Sequence, residues 1–229
     1  MIDQILQKSP LILSKILGFI IFYTPVLIAV ICHEIGHAYA AYLLGDDTAK
    51  KAGRFSINPL KHIDLFGTII LPILLYYTVG FPLVMFKPVP VDHSKLHNPE
   101  KDSIKVALAG PGANLLLVIL SVTMIRVFGL MEGIHHTFFY KFFIQKIGFL
   151  FILFNLIIMT FNLLPIPPLD GSWVIRGMLS VKYKFYFQKY YTYFVLGFLI
   201  LILTRTIHYI LMPIWNFFVK LTGILTGFS

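Results

Sequence analysis

"VICHEIGHAYAAYLLGD", residues Val30 to Asp46, decides the reading of this chain. The run that leads into it, Ile16 to Cys32, carries no charge, so the stretch reads as part of a membrane-spanning helix. Yet His33, Glu34 and His37 stand inside it. A charged side chain at a bilayer centre costs about 2.5–3.5 kcal/mol on insertion scales, so ionisable groups there call for a function. Residues four apart on an α-helix differ by about 40° in direction and one turn in height, which turns the imidazoles of His33 and His37 to a common point. That is a geometry for two ligands on one zinc ion. Glu34 lies about 100° round from His33, within reach of a water on the metal without being forced into the ligand set. Its expected role is general base: zinc lowers the pKa of a bound water toward ~7, and a carboxylate that takes the proton contributes about 10²- to 10⁴-fold in rate.

Composition extends the membrane reading to the whole chain. Of 229 residues, 58% are hydrophobic and 13% charged, and the mean hydropathy is +0.82, outside the range of soluble domains. Further uncharged runs at Leu65 to Phe86, Val106 to Ile125, Gly148 to Leu169 and Tyr190 to Thr204 mostly approach the ~20 residues a helix needs to cross the hydrocarbon core. The expectation is an all-α polytopic membrane protein: a bundle of about 4–6 transmembrane segments with a re-entrant segment and a broken helix, forming one membrane-embedded domain over residues 1–229. No small-residue cleavage site follows the first apolar stretch, which argues against a removed signal peptide. The single cysteine, Cys32, points away from His33 and is expected to be a small buried residue without an internal disulfide partner.

The net charge of +9 raises nucleic acid as a partner, but the placement of the charges argues against it. Twelve of the nineteen basic residues fall in three connections: Lys50, Lys51, Arg54 and Lys61; Lys87, Lys95, Lys101 and Lys105; Arg176, Lys182, Lys184 and Lys189. Positive charge flanking apolar spans marks the cytoplasmic side. The motif helix then runs inward to emerge near Gly45 and Asp46, and Val106 to Ile125 runs outward. Leu65 to Phe86 must start and end on one side, and Gly67, Pro72, Gly80 and Pro82 interrupt it, so it reads as a re-entrant hairpin. Met131 to Ile147 is a short external loop, the chain is back in the cytoplasm by Arg176, and a last span begins near Tyr190. Pro213 to Phe228 lies along an interface or packs back on the bundle. Pro25 offers a point at which the long stretch Leu11 to Leu44 divides.

A catalytic zinc generally takes three protein ligands. Of the ten acidic residues only Glu34 and Asp170 lie within apolar stretches. Asp170 belongs to "FNLLPIPPLDGSWVIRG", where Pro165, Pro167 and Pro168 force extended backbone just ahead of the acid. Asp-Gly after prolines is also a common turn, with Asp as helix N-cap. Broken backbone at membrane depth, however, is tolerated where it is buried or lines a wet cavity, as a hydrolytic site requires. Asp170 is therefore the expected third ligand, for one zinc per chain.

"HEIGH", then "AGPGANLLL", then "FNLLPIPPLDG" resemble the site-2 protease family of intramembrane zinc metalloproteases. "GDDTAKKAGRFSINPLKHIDLFGTIILP" and "KPVPV" resemble its compact branch, which lacks PDZ and CBS domains. The likeness spans about Ala29 to Met178, leaving residues 190–229 as additional C-terminal membrane segments. It implies His33, His37 and Asp170 as zinc ligands and Glu34 as catalytic acid/base. It also implies that the amide of Asn162 holds the substrate backbone or the developing oxyanion. Asn114 is a weaker candidate of the same kind, since Gly110 and Gly112 suggest that its segment mainly serves close helix approach. Gly36, Ala38, Ala40 and Ala41 suggest the same for the motif helix. His62 and Asp64 resemble a motif of the branch but read as loop-ordering residues, His93 and His97 as members of a solvated loop, and "KYKFYFQKYY", Lys182 to Tyr191, as an interfacial anchor.

From Glu34 to Gly45 is about 16 Å along a helix, placing the site deep in the bilayer and opening toward the cytoplasm of a bacterial inner (plasma) membrane. The expected partners are the lipid bilayer and a membrane-protein substrate whose transmembrane segment unwinds locally, with Leu65 to Phe86 offering strand-like pairing. A metal-binding transporter using the same His/Asp site is the alternative, and it predicts that Glu34→Gln is tolerated.

Overall fold

The computed structural model describes residues 2–79, 86–131, 137 and 139–227, with side chains from Gly18 onward except at 19, 69, 72, 75, 76 and 79. Regular structure among these residues is helical throughout. Helix α1 (Ile2–Leu43) is one rod of 42 residues, about 63 Å long, and its portion Ile20–Leu43 is long and apolar enough to cross a membrane. Pro25 does not divide it. The ring is fully buried inside the bundle, and its missing N–H removes one helical hydrogen bond without ending the helix. At the basic end Gly45 turns the chain at φ +107°. The fully buried Asp46 then accepts hydrogen bonds from the amides of Thr48 (2.9 Å) and Asp92 (2.7 Å), fixing the short α2 (Thr48–Lys51) against a later connection.

The next connection is organised by Arg54, a buried guanidinium that donates to the carbonyls of Lys61, Lys87 (2.8 Å) and Pro88 (2.9 Å). His62, also fully buried, donates from Nε2 to the Ser56 carbonyl (2.7 Å), and its own carbonyl accepts from Lys87 N–H (2.9 Å). Residues 62 and 87 are thus joined, so the apolar stretch between them leaves and returns at one point, as its loop parity requires. Asp64 caps the outgoing arm through Gly67 N–H (2.7 Å). That arm is a π-helical turn, Leu65–Ile70, followed by α3 (Leu71–Val79). Helix, not the extended backbone expected for strand pairing, therefore runs to Val79; the turn at Gly80 and Pro82 lies outside the described residues.

Backbone without regular structure at 86–92 leads through a short turn at His93–Lys95 to α4 (Pro99–Gly129), the central helix. Its start is a reciprocal cap: Asn98 Oδ1 accepts from Lys101 N–H (3.2 Å) while Asp102 Oδ2 accepts from Asn98 N–H (2.8 Å). π-helical Tyr140–Ile147 continues directly into α5 (Gly148–Asn162). The external loop expected over Met131 to Ile147 is therefore shorter, because Tyr140 and Ile144 pack into one core with Val118, Ile125, Ile152, Leu156 and Met159. After a break come α6 (Asp170–Met178), α7 (Val181–Lys189), α8 (Tyr191–Leu203), bent 58° from α7, and α9 (Thr206–Thr226). Helix α9 packs back on the bundle: Trp215 Nε1 donates to Thr160 Oγ1 (3.1 Å), and Arg126 donates to the carbonyls of Leu225 and Ile224 at its C-terminal end. Among the described residues four helices are long and apolar enough to span, five if α7 and α8 form one broken span. Leu116, Ile119 and Met124 on α4 are among many large apolar residues left facing outward, which lipid would cover. The molecule is an all-helical polytopic membrane protein.

Candidate metal centre

Helix α1 presents His33 and His37 one turn apart, both buried, with their Nε2 atoms 3.1 Å from each other. Asp170 Oδ2 lies 3.1 Å from His33 Nε2 and 3.2 Å from His37 Nε2. Behind the rings, His33 Nδ1 donates to Asn114 Oδ1 (2.6 Å) and His37 Nδ1 to the Val106 carbonyl (2.7 Å). The Asn114 amide has its orientation set by its other end, since Nδ2 donates to the Ala29 carbonyl (3.0 Å) and to Asn155 Oδ1 (2.9 Å). Asn155 in turn donates to the Phe151 carbonyl (2.8 Å). This network assigns the proton of each neutral imidazole to Nδ1, so both Nε2 lone pairs point at a carboxylate oxygen. That oxygen, Asp170 Oδ2, is buried and has no hydrogen-bond partner. Three lone pairs converging in a buried pocket repel one another unless a cation lies among them. A tetrahedral zinc with ligand bonds of ~2.0–2.1 Å separates its ligands by roughly 3.3 Å. The three residues fit such an ion.

Local sequence explains how Asp170 arrives there. Helix α5 ends at Asn162, and the prolines at 165, 167 and 168 hold residues 163–169 out of helix until α6 begins at Asp170. A Cβ on Gly171 would stand 2.3 Å from the Leu163 carbonyl oxygen and 2.5 Å from that of Leu164, so only glycine lets α6 start against the broken backbone. The Asp170 side chain does not cap its helix, whose N-cap is Leu169. The turn-and-cap alternative fails because the carboxylate faces the histidines. On the opposite wall a Cβ on Gly110 would lie 2.3 Å from His37 Nε2 and 2.8 Å from His33 Cε1. Gly110 therefore makes room for the imidazoles. A Cβ on Gly112 would meet nothing within 4 Å, so the second glycine does not serve close approach.

Glu34 stands outside the ligand set and is partly exposed. Its Oε2 accepts from Val89 N–H (2.7 Å), tying it to the "KPVPV" segment. Asn162, at the end of α5, donates to the Ile158 carbonyl (3.0 Å) and makes no hydrogen bond to the ligands. Asn114 is wholly buried, with its amide committed to His33, Ala29 and Asn155. His62 and Asp64 order their loop as expected. His93 does not belong to a solvated loop: it is half-buried, stacks on Trp173 (4.2 Å between centroids, 17°) and donates from Nδ1 to Ser103 Oγ (2.7 Å). Burial and the neighbouring Arg176 push its pKa below the usual histidine value. Cys32 is partly exposed, not buried. Sequence reasoning missed Asn155, although a lone amide amid the apolar residues of "FLFILFNLIIM" is itself a signal. It also missed the backbone partners, the Val106 carbonyl and the Val89 amide, which carry no side-chain signature.

Two histidines a turn apart and a carboxylate from a broken helix, set in a multi-pass bundle, form a candidate metal site within a membrane protein. The chain belongs to peptidase family M50, with which residues 21–204 match. It is 35% identical over 188 residues to "Putative zinc metalloprotease YwhC" of Bacillus subtilis (strain 168), covering 80% of each chain. It is 32% identical over 170 residues to "Putative zinc metalloprotease Rip2" of Mycolicibacterium smegmatis, covering 73% of this chain and 61% of that one. With Rip2 of Mycobacterium tuberculosis the identity is 30% over 146 residues, 63% of this chain and 52% of the relative. No solved structure matches the chain.

Proposed function

We propose that this protein is an intramembrane zinc metalloendopeptidase that hydrolyses peptide bonds within or near transmembrane segments of other membrane proteins. The observation that carries the reading is the convergence of His33 Nε2, His37 Nε2 and Asp170 Oδ2 within 3.1–3.2 Å, one residue from a carboxylate, Glu34, that is not a ligand. His33, His37 and Asp170 hold one zinc per chain, which when bound supplies Lewis acidity and a water of lowered pKa. Glu34 takes the proton of the attacking water and passes it to the leaving amine. The Val89 amide fixes one of its oxygens (2.7 Å) and leaves the other to carry the proton. Asn162 and Asp170 stand at the two ends of the non-helical stretch between α5 and α6, and the second amide proton of Asn162 is assigned to the substrate backbone or the developing oxyanion. Asn114 is assigned to orienting His33 rather than to touching substrate. The single domain spans residues 1–229, and the basic connections support a site opening to the cytoplasm of a bacterial plasma membrane. The relatives, each bearing the name "Putative zinc metalloprotease", support the metal and the chemistry.

The test is metal analysis of purified wild type, Glu34→Gln and Asp170→Ala, paired with cleavage of a transmembrane substrate in liposomes. Wild type is expected to hold stoichiometric zinc and to cleave. Glu34→Gln should keep the zinc while cleavage falls about 10²- to 10⁴-fold, and Asp170→Ala should lose metal. Zinc flux across the liposome, undiminished in Glu34→Gln, would transfer the site to transport and refute the protease reading.

A further inference from the structure

The basic end of the bundle carries a separate cavity, beside the C-terminal half of α6. Trp173 and Arg176 of α6, Glu100 and Ser103 of α4, Lys184 of α7 and His93 line a groove of about 360 Å³. Its aromatic wall is Trp173, against which His93 stacks and over which the Arg176 guanidinium sits at 4.8 Å. Arg176 is half-buried yet has no carboxylate or hydrogen-bonded acceptor for its side chain among the described residues, so a group with five N–H donors lacks protein partners. Lys184 enters from α7 and is held by Glu100 at 2.5 Å, which keeps a second cation at the groove. The same two helices that supply Arg176 and Lys184 also expose apolar Ile175, Met178, Val181 and Phe185. A charged groove on helices that also expose apolar side chains matches an amphiphile. A free anion would satisfy Arg176 but gain nothing from those apolar side chains.

We propose that the groove binds the headgroup of an acidic phospholipid. Arg176 takes the phosphate in a two-pronged contact, for which a planar guanidinium is suited, and Lys184 provides the second cation. Basic pockets between transmembrane helices commonly hold acidic headgroups, and α7, with its lysines and aromatic residues, is placed to lie along the interface beside this one. The bound lipid would tie α4, α6 and α7 together at a point about 9 Å along α6 from Asp170. The inference stands on the groove and does not depend on proteolysis.

Native mass spectrometry of the detergent-purified protein, with thermal unfolding alongside, tests it using phosphatidylglycerol, phosphatidylcholine and inorganic phosphate as probes. Wild type should retain phosphatidylglycerol about tenfold more tightly than phosphatidylcholine, and its unfolding midpoint should rise with the former only. Arg176→Gln combined with Lys184→Gln should lose about tenfold in phosphatidylglycerol affinity. Arg176→Lys, which keeps the charge and loses the fork, should lose less but measurably. Lys50→Gln with Lys51→Gln, an exposed basic pair outside the groove, should stay within about twofold of wild type. Equal retention of the two lipids, undiminished binding by both Arg176 variants, or an equal loss in the Lys50/Lys51 control would overturn the proposal. So would protection by inorganic phosphate equal to that by phosphatidylglycerol, which would make the ligand a free anion.

Discussion

Gly110 and Gly112 lie two residues apart on the same helix, and the structure gives the same substitution opposite outcomes at the two. An alanine Cβ at position 110 would stand 2.3 Å from His37 Nε2, 2.6 Å from its Cε1 and 2.8 Å from His33 Cε1. Ordinary contact begins near 3.4 Å, so the rings must retreat by about 1 Å. They are tethered at their far sides, at 2.6 Å to Asn114 and 2.7 Å to Val106, so retreat strains those hydrogen bonds and moves both ligand atoms. Helix propensity favours alanine by ~1 kcal/mol, overpacking costs about 1–3 kcal/mol, and displaced outer partners typically weaken a metal site about 10- to 100-fold. The clash therefore wins. Gly110→Ala should bind zinc at least about tenfold more weakly and unfold at lower temperature. At position 112 the new Cβ would meet nothing within 4 Å, so Gly112→Ala should keep metal affinity and match or slightly exceed wild-type stability, by up to ~1 kcal/mol. Competition of the purified variants against a chromogenic chelator, with thermal unfolding of the apo and zinc-loaded forms, measures both quantities. Equal zinc affinity in the two variants would refute the packing argument and with it the placement of α4 against the histidines.

Asn114→Ala leaves His33 Nδ1, the Ala29 carbonyl and Asn155 Oδ1 without their partner; roughly 1–3 kcal/mol of stability and 10- to 100-fold in zinc affinity should be lost in the same titrations. Gly171→Ala drives a Cβ to 2.3 and 2.5 Å from two carbonyl oxygens of fixed backbone. It should impair zinc binding at least as much as Gly110→Ala, and near-normal zinc content would contradict the observed start of α6. His93 has its pKa lowered by burial and by Arg176, against weaker raising effects of Asp46 and Asp92, so the folded state binds its proton less readily than the unfolded chain. Its contribution to stability is full above the ordinary value near 6.5 and is lost as pH falls below that toward the depressed folded value. Unfolding curves in zwitterionic detergent should show less acid destabilisation in His93→Phe, which keeps an aromatic ring beside Trp173, than in wild type.

The sequence made legible what side-chain type and spacing can encode. His33 and His37 declare a shared ligand point because a helix repeats its direction every four residues, and Asp170 stands out because lipid leaves few acids unexplained. The apolar runs likewise announce the spans. What escaped was set by contacts between distant segments or by backbone atoms. Nothing in "KPVPV" says that the amide of Val89 reaches Glu34. Nothing in "NPEKDS" says that Ser103 will hold His93, or that His93 will stack on Trp173 eighty positions further on. Pro25 misled for a related reason: a proline's cost depends on whether its neighbours shield the freed carbonyl, and that is tertiary information.

The site is best understood as a register between two antiparallel helices. On α1, Ala29, His33 and His37 follow one another at single-turn intervals; on α4, Asn114, Gly110 and Val106 do the same in reverse. Ala29 and His33 meet the amide of Asn114, His37 meets the carbonyl of Val106, and both rings lie over the gap at Gly110. Gly36 secures the approach, since a Cβ there would come within 2.7 Å of the Ala109 carbonyl oxygen. Amide, gap and carbonyl on α4 thus interleave with the three positions of α1. A slip of a single turn, about 5.4 Å, would set an imidazole against a side chain where it needs the gap and leave buried polar groups unpaired at both ends. Membrane helices gain little from apolar burial against one another, because lipid is as apolar as leucine. Their register must therefore come from close packing and from polar groups that hydrocarbon will not solvate. Here the same polar groups orient the histidines, so the interactions that align α1 with α4 are also those that prepare the metal ligands.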